Sequence, residues 1–378
     1  MGYNLRMLQN KYQQAFFELL RAGLWEKDAR LSAFGAIDYS VILRLAEEQS
    51  VVGLLTAGLE HAHDVKIPKD VLLQFVGSTI RIEQQNKSLN KYVSQLIGKL
   101  RKEDVYAVLV KGQGIANCYE RPLWRSSGDV DLLLNDSGYN KAKDILEPIS
   151  ISIDHEFTSF KHISYTMNSG FIVELHGTLH SRLSERIDRV IDEAQKEVIY
   201  NRNVRTWING STQVFLPSPN EDVIFIFTHI LHHFYIGGIG LRQICDWCRL
   251  LWTYRNSLDV NKLEARIKVA GLMPEWKAFG AYAVEYLGMP IKSMPFYSES
   301  NKWSKKAAQI NGFVLEVGNF GHNREMKYKD YPFFFRKMCS FVRRIGDLLL
   351  HTRVFPLDSL RFFPHILISG IVTALKGE

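Results

Sequence analysis

VLVKGQGIANCYERPLWRSSGDVDLLL, residues 108–134, is the stretch from which the fold can be read. It begins as the end of a β-branched run, VYAVLV (105–110), that breaks at Lys111-Gly112. A helix around Ile115–Tyr119 and a loop, ERPLWRSSG, then lead to a second run, DVDLLL (129–134). Asp129 and Asp131 stand two apart at the entrance of that strand. Their side chains therefore share one face, while Val130 points into the opposite layer. Two carboxylates on one face repel each other unless a proton or a cation lies between them. Ligands that are oxygen alone favour the hard ions Mg²⁺ or Mn²⁺.

Further along, ISYTMN (163–168) and FIVELH (171–176) read as two strands joined in hairpin fashion by Ser169-Gly170. Glu174 lies between Val173 and Leu175; if those neighbours face a core, it faces a cleft, and strand pairing can set it beside the aspartates. Three converging carboxylates are what two-metal phosphoryl chemistry uses. Asp-x-Asp alone is a common string and often only a solvated strand end. Its weight here comes from the strand, glycine turn and helix that precede it in order.

The flanks read differently. FFELLRAGLW, YSVILRLAEEQSVVGLLTAGLEHA and the stretch from Lys69 to Lys102 carry helical spacing, with Pro68 where the last begins. YNKAKDILEPI continues the middle section as a helix. QVFLPSPNED marks a turn-rich boundary where Ser218 or Asn220 can cap the next helix, and the remainder is mostly helical. The expected division is a helical region at 1–100, an α/β domain at 101–215 and a helical domain at 216–378.

Composition sets bounds. A chain of 378 residues exceeds one ordinary core, and 46% hydrophobic with 23% charged residues is that of a globular protein. The opening MGYNLRMLQNKYQQAFFELL lacks the apolar run of a signal peptide. The most apolar stretch, FFPHILISGIVTAL, contains His365 and falls short of the roughly 20 residues of a membrane span. A cytoplasmic protein with no membrane span is expected. Cys245 and Cys248 form C-x-x-C within LRQICDWCRLLW, where cysteines three apart on a helix read as core packing. The net charge of +7 is modest; part of it is local, with basic residues 324, 327, 329, 336, 337, 343, 344 and 353 crowded near the C-terminus. A solvated face is the simple account of that run, and Phe333, Phe334 and Phe335 beside it read as core.

The segment resembles the nucleotidyltransferase superfamily with the polymerase-beta-type fold, in which a strand, a glycine-containing turn and a helix precede a strand opening with Asp-x-Asp, and a third acid follows. More narrowly, Lys111-Gly112, the Arg-x-x-Gly-Asp-x-Asp string and VELH resemble a family of uncharacterised bacterial nucleotidyltransferases. The likeness is specific over about 100–180. It implies an α+β fold, a small mixed β-sheet nucleotidyltransferase-like core flanked by helical N- and C-terminal regions. It also implies catalytic and metal-binding roles for Asp129, Asp131 and Glu174, Mg²⁺ or Mn²⁺ as cofactor, and a nucleotide turn at Lys111, Gly112 and Gln113, with Arg125 and Gly128 at the strand entrance. The superfamily's usual turn is Gly-Ser. Gly112-Gln113 departs from it, and Lys111 can supply a point charge to phosphate oxygens instead.

Downstream, His229, His232 and His233 share one helix face in FTHILHHFYIGGIGLRQICDW. They read as a packed face, or with His176 and Arg242 as acceptor-side contacts. Arg242 and Asp246 stand one turn apart, as an ion pair would. Gly237-Gly238-x-Gly240 reads as one helix ending and another starting. His180 lies close after Glu174. A G-x-G-x-x-Asn string at Gly112 nearly matches a dinucleotide fingerprint, but the acids precede the apolar run where that motif needs one after it. The expected activity is transfer of a nucleoside monophosphate from an NTP to a hydroxyl or phosphate acceptor. Two alternatives stand beside it: an inactive nucleotide-sensing or partner-binding module, and a nucleic-acid-modifying transferase drawing on the basic run.

Overall fold

The computed structural model describes residues 2–154, 161–318, 346, 348–349 and 351–375, with side chains between residues 11 and 368 of those ranges. The basic residues 324–344 and Phe333–Phe335 lie outside them. Four helices open the chain: α1 (Gly2–Trp25), α2 (Tyr39–Glu48), α3 (Val52–Glu60) and the 34-residue α4 (Lys69–Lys102). Asp70 in the first turn of α4 and Lys99, Arg101 and Lys102 in its last complement the helix dipole.

The middle section is β1 (Ala107–Val110), α5 (Gly112–Ala116), β2 (Asp129–Leu134), α6 (Asp136–Leu146), β3 (Ser150–Ile153), β4 (His162–Met167), β5 (Ile172–His176), α7 (Glu185–Ile199), β6 (Val204–Asn209) and β7 (Thr212–Pro217). The seven strands form one mixed sheet in the order β3-β4-β5-β2-β1-β7-β6. β1 and β2 run antiparallel, and β2 and β5 run parallel. The fold is thus α+β, with a mixed sheet between helical flanks.

Sequence reading located β1, β2, β4 and β5 to within two residues, and it missed β3 and the β6–β7 hairpin. The segment QVFLP, read as a boundary, is β7 itself. Its partner β6 reaches it through the two-residue turn Gly210-Ser211, with Gly210 at φ 61°, a hairpin signal in its own right. The helix expected at Ile115–Tyr119 starts three residues earlier, directly on the glycine turn.

Alternation along β2 decides the layers. Val130, Leu132 and Leu134 join a core with Leu89, Val93 and Leu100 of α4 and Tyr139 and Leu146 of α6. The other face carries Asp129, Asp131 and Leu133, and Leu133 belongs to a second core shared with the helical regions. There follow α8 (Pro219–Ile236), α9 (Leu241–Tyr254), α10 (Val260–Ala270), α11 (Met273–Glu285), α12 (Asn301–Val317) and α13 (Pro356–Leu375). Helices from both ends of the chain fill that second core together. Trp25 donates its indole N–H to the Leu287 carbonyl at 2.6 Å, and Gln49 donates to the Val314 carbonyl at 3.2 Å. No helix among the described residues is long and apolar enough to cross a membrane.

The N-terminal helices also brace the loop that enters β2. At Gly53 in α3 an added Cβ would sit 2.0 Å from the Trp124 carbonyl oxygen. Asn86 of α4 donates to the carbonyls of Leu123 and Arg125, both at 2.8 Å. Gly53→Ala therefore overpacks a backbone contact and is expected to lower stability by roughly 1–3 kcal/mol. A urea-unfolding midpoint equal to that of wild type would show that α3 does not hold this loop.

Candidate active site

β1 ends at Val110, and Lys111 takes φ 57° and ψ −143°, a region that non-glycine residues enter at a cost. The turn swings the lysine side chain back across its neighbour strand. Val110 is the register partner of Asp131, and the Lys111 ammonium lies 2.9 Å from Asp131 Oδ1. On the other side, the parallel register sets Asp131 directly opposite Glu174 and Asp129 opposite Ile172. The ligand oxygens of Asp129, Asp131 and Glu174 all lie within 4.8 Å of one another. Sequence spacing placed two of these acids on one face, and the sheet register adds the third.

Histidines complete the cluster. His176 follows Glu174 on the same strand face, with Nε2 2.8 Å from Asp131 Oδ1 and 3.4 Å from Glu174 Oε2. His162 of β4 is its antiparallel partner; the two rings stack at 4.8 Å, and His162 Nε2 is 3.3 Å from Glu174 Oε2. Sequence reading missed His162. The hairpin would have given it, because counting outward equally from Ser169 pairs His162 with His176.

The electrostatics follow from this crowding. Asp131, then burial, then Glu174 push the Asp129 carboxyl up to about 6. Burial opposes charge on Glu174, but hydrogen bonds from His162 and His176 outweigh it and hold the carboxyl below its usual range. Burial likewise opposes charge on Lys111 and His176. The attraction of Asp131 and Glu174 for Lys111, and the hydrogen bonds that His176 donates to the same two acids, leave both groups above their ordinary values.

These acids form one wall of a cavity of about 340 Å³. Gly112 and Gly128 line it beside them, and the loop Thr178–Arg182 lies at its edge. Residues of α8 and α9 line it as well, among them His229, His232, His233 and Arg242. Burial, then the charge of Lys111 for His229 and of His232 for His233, hold both imidazoles well below their usual range; they meet Nε2 to Nε2 at 3.0 Å. Burial takes His232 down to about 4, and its Nδ1 lies 2.7 Å from the Ser181 carbonyl. Nδ1 therefore carries the proton, and Nε2 keeps a lone pair.

Other expected site residues also make structural contacts, and Arg125 lines the cavity besides. Gln113 is buried and turned from the cavity, donating to Asn90 Oδ1 and accepting from Ser127 Oγ, both at 2.5 Å. Arg125 grips Asp246 with Nε and Nη2, each at 2.7 Å, and the Tyr119 hydroxyl takes the same carboxylate at 2.7 Å. The ion pair expected between Arg242 and Asp246 is thus replaced by one between Arg125 and Asp246. His180 lines the cavity while its Nε2 is 2.7 Å from Asp192. Cys245 and Cys248 are fully buried free thiols in the helical core, pushed up by burial. Gly237–Gly240 joins α8 to α9.

The family model described as "Uncharacterised nucleotidyltransferase" matches residues 35–288. The chain belongs to this nucleotidyltransferase family. The matched span holds all three acids, Lys111, the α8 histidines and Arg242. No curated protein matches the nucleotidyltransferase chain. Among solved structures it is similar to an antigenic nucleotidyltransferase-like protein from Paracoccidioides brasiliensis at 16% identity and a TM-score of 0.32, over 55% of this chain and 96% of that one.

The Asp129 environment gives a pH dependence with a definite sign. Its folded value of about 6 lies above the ordinary 3.8, so ionisation costs the folded state. The stability this group contributes is complete below the unfolded value and is lost as pH rises through the folded one. In chelator, thermal unfolding of wild type should drop between about pH 4 and about pH 6 relative to Asp129→Asn. Parallel curves for the two proteins would show that Asp129 is not strained by its neighbours.

Proposed function

We propose that the protein transfers a nucleoside monophosphate from an NTP to an acceptor bound in the same cavity, releasing pyrophosphate. The observation that carries this reading is the register that sets Asp131 opposite Glu174, with Asp129 two residues before it and all three carboxylates within 4.8 Å.

The residues fit a divalent cation. The donor set is oxygen from three carboxylates, and their mutual repulsion is already relieved by cationic groups, Lys111 and His176, at hydrogen-bond distance. Asp129, Asp131 and Glu174 would hold Mg²⁺ or Mn²⁺, which when bound grips triphosphate oxygens and lowers the pKa of an acceptor hydroxyl.

The chain's own groups have separate tasks. His176 bridges Asp131 and Glu174 and fixes the orientation of both carboxylates, as outer partners of ligating acids do. Lys111 is positioned to exchange Asp131 for a phosphate oxygen and follow the negative charge that develops on the leaving pyrophosphate. The acceptor oxygen forms a bond to the α-phosphorus as the bond from that phosphorus to the bridging oxygen breaks. Residues 101–215 form the transferring unit in this reading, and the helical segments on either side supply the brace and further lining of the cavity. A cavity of about 340 Å³ suits small ligands better than a nucleic-acid duplex.

Asp131→Asn keeps the shape and removes the charge. With α-labelled NTP, Mg²⁺ and a metabolite extract as acceptor source, label transfer is expected to fall by at least about 10²–10³-fold, with the circular dichroism spectrum unchanged. Transfer at the wild-type rate would remove the catalytic role.

A further inference from the structure

Away from the acids of the cavity, a second group of metal-ligating side chains comes together in the N-terminal helical region. Asp28 stands in the loop that follows α1, and His61 and His63 stand in the loop that follows α3. A carboxylate oxygen and one nitrogen from each imidazole lie within 4.8 Å of one another. None of the three residues lines the active-site cavity.

Backbone contacts bring these two loops together. At Gly58 of α3 an added Cβ would sit 2.0 Å from the Leu19 carbonyl oxygen of α1, so the helices touch along their main chains. Ala29 donates its N–H to the His61 carbonyl at 3.0 Å. The Asp64 carboxylate accepts from the N–H groups of Leu31 and Ser32, at 3.1 and 2.9 Å. The side chains differ in freedom. His61 is partly buried, with Nε2 2.6 Å from Glu26 Oε2, and Arg121 holds Glu26 in turn, its Nε 3.1 Å from Oε1. Asp28 and His63 are exposed and make no side-chain hydrogen bond or ion pair among the described residues.

A carboxylate behind an imidazole is the arrangement that orients a metal-ligating histidine and raises its basicity. Two imidazoles and one carboxylate, with water completing the shell at an open surface, form the donor set of zinc sites that keep a free position. The nitrogen donors select against hard Mg²⁺. Bonds of about 2.0–2.2 Å require the donors to close on the ion. Asp28 and His63 have no competing partner to hold them back, while Glu26 keeps His61 in place.

We propose that Asp28, His61 and His63 bind Zn²⁺, and that the ion clamps the loop after α1 to the loop after α3. The clamp adjoins the support of the strand that carries Asp129 and Asp131. Glu26, just past α1, and Glu60, at the end of α3, both take Arg121, at 3.1 and 2.7 Å, and Arg121 lies in the loop that enters β2.

Equilibrium dialysis of the full-length, untagged protein against Zn²⁺ in excess Mg²⁺ tests the site. Wild type should hold a zinc ion that Asp28→Asn and His63→Ala bind at least about tenfold more weakly, the scale on which even the outer partners of a metal ligand act. In chelator all three proteins should unfold at the same temperature, since the two side chains are exposed and have no partner among the described residues. Added Zn²⁺ should raise that temperature in wild type and leave both variants behind.

Equal zinc affinity in wild type and His63→Ala overturns the proposal; if Glu174→Gln alone then loses the ion, the zinc belongs to the acids of the cavity. A His63→Ala protein that lags wild type by the same margin in chelator and in zinc overturns it too, because His63 is then a packing residue. Release of the ion by excess Mg²⁺ is the third contrary result, since a hard cation competes for oxygen ligands and not for imidazoles.

Discussion

Three carboxylates within 4.8 Å of one another, two of them on one strand and the third paired to it, set the constraint that the surrounding structure answers. Like charges at that distance in a partly buried cleft repel strongly. The chain meets the repulsion with local means: the ammonium of Lys111, the imidazole of His176 and a raised proton affinity at Asp129. On the proposed function, each of these is a stand-in that a divalent cation and a triphosphate would displace. The parallel pairing of β2 with β5 makes the crowding unavoidable, because sliding the register by one residue would send Glu174 into the layer occupied by Val173 and Leu175.

Holding charged strands at a fixed register requires a rigid entrance. The loop before β2 is anchored from three sides: Gly53 lets α3 approach Trp124, Asn86 of α4 binds two of its carbonyls, and Arg125 locks into Asp246 of α9. The last is a buried, bidentate pair between residues 7% and 5% exposed. Losing one partner of such a pair leaves an unpaired buried charge and costs about 3–5 kcal/mol. The helical segments from both ends of the chain thus share one core and act on the site through this loop. Gln113, at the turn where the superfamily carries a hydroxyl, serves the same frame, since its side chain ties Asn90 to Ser127.

Much of this was legible in the sequence. Alternation in DVDLLL and the apolar neighbours of Glu174 identified the acid face, because a period of two fixes the side of a strand without knowledge of its partners. Lys111 beside its glycine pointed to the turn. What alternation cannot give is which strands are neighbours, so the contact of His176 with Asp131 and the place of His162 had to come from the sheet. Partner choice among charges was also beyond reach. Arg242 and Asp246 have ideal helical spacing, yet Arg125, more than a hundred residues away in the chain, reaches the carboxylate with both ends of its fork. The β6–β7 hairpin was missed for a simpler reason: its Gly210-Ser211 turn was visible, but β6 has no buried residue to mark a core face, and QVFLP was read with the turn residues that follow it.

The account depends on the acids acting together on one cation, and Mn²⁺ reports on this directly. Electron paramagnetic resonance titration in the presence of an NTP should show Mn²⁺ bound to the wild-type protein and released when Glu174 alone becomes glutamine, since the third ligand comes from a different strand. Mn²⁺ held with undiminished affinity by Glu174→Gln would contradict it, leaving the convergence of β2 and β5 as a feature of the fold and not of its chemistry.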